Sequence, residues 1–128
     1  TQDIINKAIE KTSHNTGLIL CFAFIYGGRD EIVWAAKKIA QKVKNDELSI
    51  DNIDENIFNH ELMTKDLPDV DLMVRTSGEQ RLSNFLLWQL AYAEFVFTDV
   101  YWPDFNEEEL KKAIWLYQNR DRRFGGLK

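Results

Sequence analysis

Cysteine is almost missing from this chain. Cys21 is the single thiol in 128 residues, so no disulfide can close within it, in keeping with a reducing cytosol. Its neighbours Leu18, Ile19, Leu20 and Phe22 make it a small core residue rather than a nucleophile. Histidine is as scarce: His14 and His60 have no second histidine or cysteine at ligand spacing, which leaves neither placed for zinc. A basic excess is lacking too. The formal net charge of −5 argues against a general nucleic-acid face, although a few converging arginines can still hold a phosphate. No run is long and apolar enough to cross a bilayer, since the best candidate, Phe85 to Phe97, is interrupted by Gln89 and Glu94. A secretory leader, a Walker loop, a G-x-G-x-x-G fingerprint, repeats and linkers are all absent from the pattern, and a cytoplasmic protein is expected.

What remains is ordinary for one globular domain, with 45% hydrophobic and 29% charged residues. Rings are plentiful, with four Trp, four Tyr and eight Phe. They supply large buried area for a core or an interface.

The periodicity alternates between helix and strand. Ile4, Ile5, Ala8, Ile9 and Thr12 share a helical face that stops before Gly17. Leu18 to Ile25 is apolar on both sides, as in a parallel strand covered by helices on two faces. After the loop Tyr26-Gly27-Gly28-Arg29, a helix capped by Asp30 places Ile32, Val33, Ala36, Ile39, Ala40 and Val43 on one side. A short helix follows Asp54 and closes at Pro68. Val70 to Val74 forms a second strand, Arg75 to Arg81 a glycine-containing loop, and Ser83 or Asn84 caps a helix to about Tyr92. Glu94 to Val100 leads into a third strand. Asn106 with Glu109 starts a last helix by a capping-box pattern, and it runs to about Arg123 before Gly125-Gly126.

The expected class is therefore α/β, with a partial parallel sheet of about three strands covered by helices. Sheets of this class carry about five or six strands, and apolar strands with nothing beyond them leave an adhesive edge. The chain also opens inside a helix without a capping sequence. It reads as part of a domain.

Two places carry candidate chemistry. Ligands of open α/β sheets bind at the carboxyl ends of strands, where Arg75, Arg81 and Ser83 follow Val70 to Val74. Two guanidinium forks, a hydroxyl and the start of a helix suit a phosphate. The same arginines could equally pair with Asp71, Glu79 or another surface carboxylate. Glu94 follows a stretch that is apolar nearly all round, so its charge needs a partner. A Mg²⁺ ion shared with a diphosphate would serve, and so would a salt bridge to an arginine. Arg120, Arg122 and Arg123 complement a helix end, or reach an anion together with Gly125-Gly126.

These residues also resemble a family. Arg75-Thr76-Ser77-Gly78-Glu79, Arg81-Leu82-Ser83-Asn84-Phe85, Trp88-Gln89, Tyr92-Ala93-Glu94 and Trp102-Pro103-Asp104-Phe105 are similar to the C-terminal region of bacterial undecaprenyl diphosphate synthases, which are cis-prenyltransferases. Tyr26-Gly27-Gly28-Arg29 and Arg122-Arg123-Phe124-Gly125-Gly126 match further family motifs. The resemblance covers essentially the whole chain, in order, as residues 1–128 of a single domain whose N-terminal half is absent. It implies elongation of an allylic diphosphate such as farnesyl diphosphate by isopentenyl diphosphate, with cis double bonds and release of pyrophosphate, toward a carrier lipid for cell-wall sugars. By the same resemblance Arg75, Arg81 and Ser83 hold isopentenyl diphosphate, Glu94 helps to hold Mg²⁺, and Arg122 with Gly125 completes the site near a homodimer interface. A lipophilic product implies transient contact with a membrane surface.

Two departures stand out. Ile25 occupies the position where the family loop carries asparagine. The family's Asp-Gly-Asn-Gly-Arg motif, whose aspartate binds Mg²⁺ with the allylic diphosphate, does not occur here, so the chain alone is expected to be catalytically inactive. Other readings are a non-catalytic partner subunit, though such subunits tend to lose the arginine loop, and a generic phosphate-binding α/β domain.

Overall fold

In the computed structural model, residues 2–121 are described. The helix signals near the start form α1 (Gln2–Thr12) and α2 (Gly28–Lys44). A short 3-10 turn (Ile50–Asn52) and α3 (Glu55–Glu61) follow, the latter capped by the Asp54 carboxylate, which accepts the Ile57 N–H at 2.8 Å. Strands β1 (Leu72–Arg75) and β2 (Glu94–Phe97) come next, then a second 3-10 turn (Trp102–Asp104) and α4 (Glu107–Gln118). The Asn106 side chain caps α4 as its sequence pattern predicts, accepting the N–H groups of Glu108 and Glu109. That satisfies two donors that a helix start leaves open.

The strands β1 and β2 pair in parallel, with Leu72 opposite Glu94 and Arg75 opposite Phe97. Alternation puts Met73 on one face and Val96 on the other, and both are buried, so this small sheet is covered on its two sides. Ala35, Ile39, Leu62, Leu90 and Ala113 complete the buried apolar set.

Several expectations are corrected. The described residues form two strands rather than three. Leu18 to Ile25 is not a ladder strand: Leu18, Phe24 and Ile25 are 90%, 74% and 108% exposed. A strand apolar on both faces needs neighbours to hydrogen-bond it, and the described residues supply none. The apolar face of α1 is likewise exposed at Ile4, Ile5 and Ile9. Along α2 the buried positions are Gly28, Glu31, Ala35 and Ile39, while Val33 is exposed; the face is rotated because the Glu31 carboxylate is drawn inside.

The helix expected from Ser83 to Tyr92 is a series of turns instead. Ser83, Asn84 and Leu86 take positive φ values of 50°, 65° and 43°, a left-handed backbone that interrupts the helical ladder. The last helix ends at Gln118, not near Arg123. The Asn119 backbone N–H and its side-chain amide both turn back onto the Trp115 carbonyl, so Arg120 lies beyond the helix.

Candidate functional site

Arg75 is the last residue of β1, and one more ladder bond follows the paired residues, from the Thr98 N–H to the Arg75 carbonyl at 2.9 Å. The chain then turns sharply. Ser77 and Gly78 both take left-handed φ values, 67° and 69°, and their N–H groups bond the carbonyls of Val100 and Thr98 at 2.9 Å. A side chain at Gly78 would meet the Asp99 carboxylate oxygen 3.2 Å from its Cβ. The turn is thereby stitched to the segment after β2.

Beyond the turn the chain folds back over Arg75. The guanidinium donates through Nη1 to the Arg81 carbonyl and through Nη2 to Ser83 Oγ at 3.2 Å. Arg81 in turn pairs with Glu79, with both side chains substantially exposed. Exposed pairs of this kind contribute little, about 0–1 kcal/mol, so an incoming anion can exchange for Glu79. Arg75, Arg81 and Ser83 are thus together, at the carboxyl end of a parallel strand and open to solvent.

Glu94 is not with them. It pairs with Leu72 at the amino ends of the strands, whereas Arg75 pairs with Phe97. That separation is three residues, about 10 Å along the sheet, and the alternation of side chains puts Glu94 on the opposite face. Its carboxylate lies 3.8 Å from Arg120 Nε, which is the salt-bridge alternative for this residue. On this chain Glu94 therefore stands apart from the arginine loop, on the other face of the strand pair. Among the described residues no group of three or more His, Cys, Asp or Glu side chains could hold a metal ion. Arg122 and Gly125 lie outside the described residues.

Between α2, the residues after α3 and Gln89 runs a polar network that sequence reasoning missed. Glu31 is only 1% exposed, and its two oxygens accept the Tyr26 hydroxyl, the Met63 N–H at 2.8 Å and the Gln89 amide at 2.9 Å. Gln89 donates also to Thr64 Oγ at 2.9 Å. Burial, with the Glu31 hydrogen bond and charge added, pushes the Tyr26 phenol far up from its ordinary value of 10.0, so it remains a donor to the carboxylate. The same network fixes α2 against residues 86–89. A carboxylate on the mostly polar face of an amphipathic helix gave no sign of burial, since its donors come from three other parts of the chain. Asn84 was also misjudged: it caps, but it caps α2. Its Oδ1 accepts the Arg29 N–H at 2.9 Å and its carbonyl the Gly28 N–H at 2.7 Å.

A cleft of about 1020 Å³ lies elsewhere, between α3, the amino end of β1 and the turns around Trp88 and Tyr92. It does not include the arginine loop.

A parallel strand pair bearing an arginine loop at its carboxyl end, with helices around it, defines an α/β protein. The chain belongs to the prenyltransferase family whose model is described as "Putative undecaprenyl diphosphate synthase" and matches residues 1–125. Over 127 residues it is 58% identical to ditrans,polycis-undecaprenyl-diphosphate synthase ((2E,6E)-farnesyl-diphosphate specific) of Micrococcus luteus, covering 99% of this chain and 51% of that one. It is 58% identical to the isoprenyl transferase of Bacillus subtilis over 123 residues, covering 96% of this chain and 47% of that one. The crystal structure of lavandulyl diphosphate synthase from Lavandula x intermedia, in complex with dimethylallyl diphosphate, superposes with a TM-score of 0.91 at 48% identity, covering 97% of this chain and 53% of that one. The chain thus spans about half the length of the curated relatives it matches. These relatives are enzymes of isoprenyl transfer.

Proposed function

We propose that this chain is the C-terminal, diphosphate-holding portion of a cis-prenyltransferase, and that Arg75, Arg81 and Ser83 grip isopentenyl diphosphate. The observation that carries this reading is the fold-back that sets the Arg75 fork against Ser83 Oγ and the Arg81 carbonyl. Two guanidinium groups and a hydroxyl there offer several donors to one diphosphate, and charge-assisted bonds of this kind are the strong ones. Binding the diphosphate by its oxygens leaves the isoprenoid end free to be presented to an allylic diphosphate, farnesyl diphosphate by resemblance to the Micrococcus relative. The same cationic groups suit diphosphate charge, including the pyrophosphate released in such a condensation. Arg122 and Gly125 belong to the reading as a further contact from the tail, and a homodimer as its working state.

Magnesium accompanies diphosphates in such chemistry, but the position of Glu94 gives no support to a shared ion on this chain, and no step here runs through it. No helix among the described residues is long and apolar enough to cross a membrane, so transient contact with a lipid surface through the product is the form of membrane contact proposed.

The test is competition. Labelled isopentenyl diphosphate bound to the chain should be displaced by pyrophosphate and not by equal concentrations of ATP. Arg75→Ala should weaken the complex about 10- to 100-fold, the loss of one charge-assisted contact. Equal displacement by ATP would favour a generic phosphate-binding domain, and an unchanged affinity in Arg75→Ala would place the site elsewhere.

A further inference from the structure

The first turn of α2 has no cap of its own. Its N-cap residue, Gly27, has no side chain to offer, and the donors of Gly28 and Arg29 are taken instead by Asn84, 55 residues beyond Arg29. The approach is close on both sides. A Cβ at Gly27 would lie 2.9 Å from Asn84 Nδ2, and one at Gly28 would lie 2.9 Å from Leu87 Cγ and 3.1 Å from the Asn84 carbonyl. Only glycine lets the two backbones come this near.

The same short peptide is held at its other end by Arg75, through the Arg81 carbonyl and Ser83 Oγ. Residues 81–84 thus run from the carboxyl end of β1 to the amino end of α2, anchored at each. Left-handed φ values at Ser83 and Asn84, 50° and 65°, persist because both anchors over-determine the peptide.

We propose that Asn84 is a positioning residue for the diphosphate: by capping α2 from a distance, it fixes the peptide that presents Arg81 and Ser83 beside Arg75. This inference rests on the diphosphate reading of that loop. Coupling between two sites is reciprocal. A diphosphate that orders Arg81 and Ser83 must tighten the cap on Gly28 and Arg29, and loss of the cap must weaken the diphosphate by the same factor.

Inorganic pyrophosphate is the probe, titrated calorimetrically into the unsubstituted chain, Asn84→Ala and Gly28→Ala, with amide hydrogen exchange at Gly28 and Arg29 followed alongside. Asn84→Ala should bind about tenfold more weakly, the scale of one hydrogen bond. In the unsubstituted chain pyrophosphate should slow exchange at Arg29. Gly28→Ala opens the clasp from the other side, since its new methyl group must push back Leu87 and the Asn84 carbonyl. Alanine is the better helix former, so α2 should keep its circular dichroism while pyrophosphate affinity falls by a similar factor. That split is one a merely structural role would not produce. Pyrophosphate binding to both variants within twofold of the unsubstituted chain overturns the positioning role and leaves the diphosphate reading standing. So does an Asn84→Ala chain that loses helix and binding together while Gly28→Ala keeps both. No binding by the unsubstituted chain overturns the diphosphate reading itself, and the positioning role falls with it.

Discussion

Ile25 shows how much one side chain can cost at a site of this kind. It takes φ 52° and is fully exposed, so a β-branched residue holds a left-handed backbone with no packing in return. Such conformations are genuine outliers for β-branched residues and cost of order 1–3 kcal/mol. Asparagine, the residue that stands here in the family loop, enters this region readily because its short side chain can bond its own backbone. Ile25→Asn is therefore expected to stabilise the chain by about 1 kcal/mol, read as a shift of the urea midpoint at unchanged slope. An unchanged or lower midpoint would mean that Ile25 is not strained. Glu31 is the contrasting case, a buried charge with a donor for each demand. Neither property was legible in sequence, because φ and burial at one position are set by residues far along the chain. Arg75, Arg81 and Ser83 were legible, because a strand, a glycine turn and two arginines lie within one short stretch.

At the scale of elements, α2 and α3 are joined by charge as well as by packing. Glu61 is buried at the end of α3 and accepts from Lys42, with Lys38 at 3.7 Å. The Lys42 hydrogen bond, reinforced by the lysine charges, holds the Glu61 carboxyl below its ordinary value of 4.5. A carboxyl depressed in the folded state binds its proton first in the unfolded chain, so stability rises with pH across that window. The contribution is complete above about pH 4.5 and is lost as pH falls through the lower folded value. Thermal melts between pH 5 and pH 3 should thus show a steep acid limb, shallower in Glu61→Gln. Identical limbs would remove Glu61 from the account. The elements themselves divide by what their signals require. The α4 start was readable because a cap and its partners lie within four positions. Residues 83–92 were not, because a stretch apolar nearly all round fits a helix and a run of turns alike. What decides between them is the Asn84 clasp on α2.

Over the whole molecule, the unresolved tension is between a sequence written for an interior strand and a surface that exposes it. Leu18, Leu20, Phe22 and Phe24 are 69–90% exposed, and the neighbouring face of α1 is open at Ile4 and Ile9. An exposed apolar edge of this length is a site for pairing with another chain. The chain spans about half the length of its curated relatives, and the polypeptide corresponding to their other half is the partner we propose for this segment. Charges placed on this segment should then act in opposite ways on the chain alone and on its function. Leu20→Asp with Phe24→Asp removes exposed apolar surface, so the isolated chain should associate less in sedimentation, and pyrophosphate binding at the arginine loop should hold within twofold. Mixed with the N-terminal half of the Micrococcus luteus relative, Mg²⁺, farnesyl diphosphate and labelled isopentenyl diphosphate, the unsubstituted chain should yield butanol-extractable polyprenyl product and the doubly charged one none. Two buried carboxylates without partners are too costly for an interior strand to form. Product from the charged variant would show that residues 18–25 stay at the surface of the assembled enzyme. Product from the unsubstituted chain alone would show that these 128 residues already hold a complete active site, and that the division of labour argued from the missing aspartate motif is mistaken.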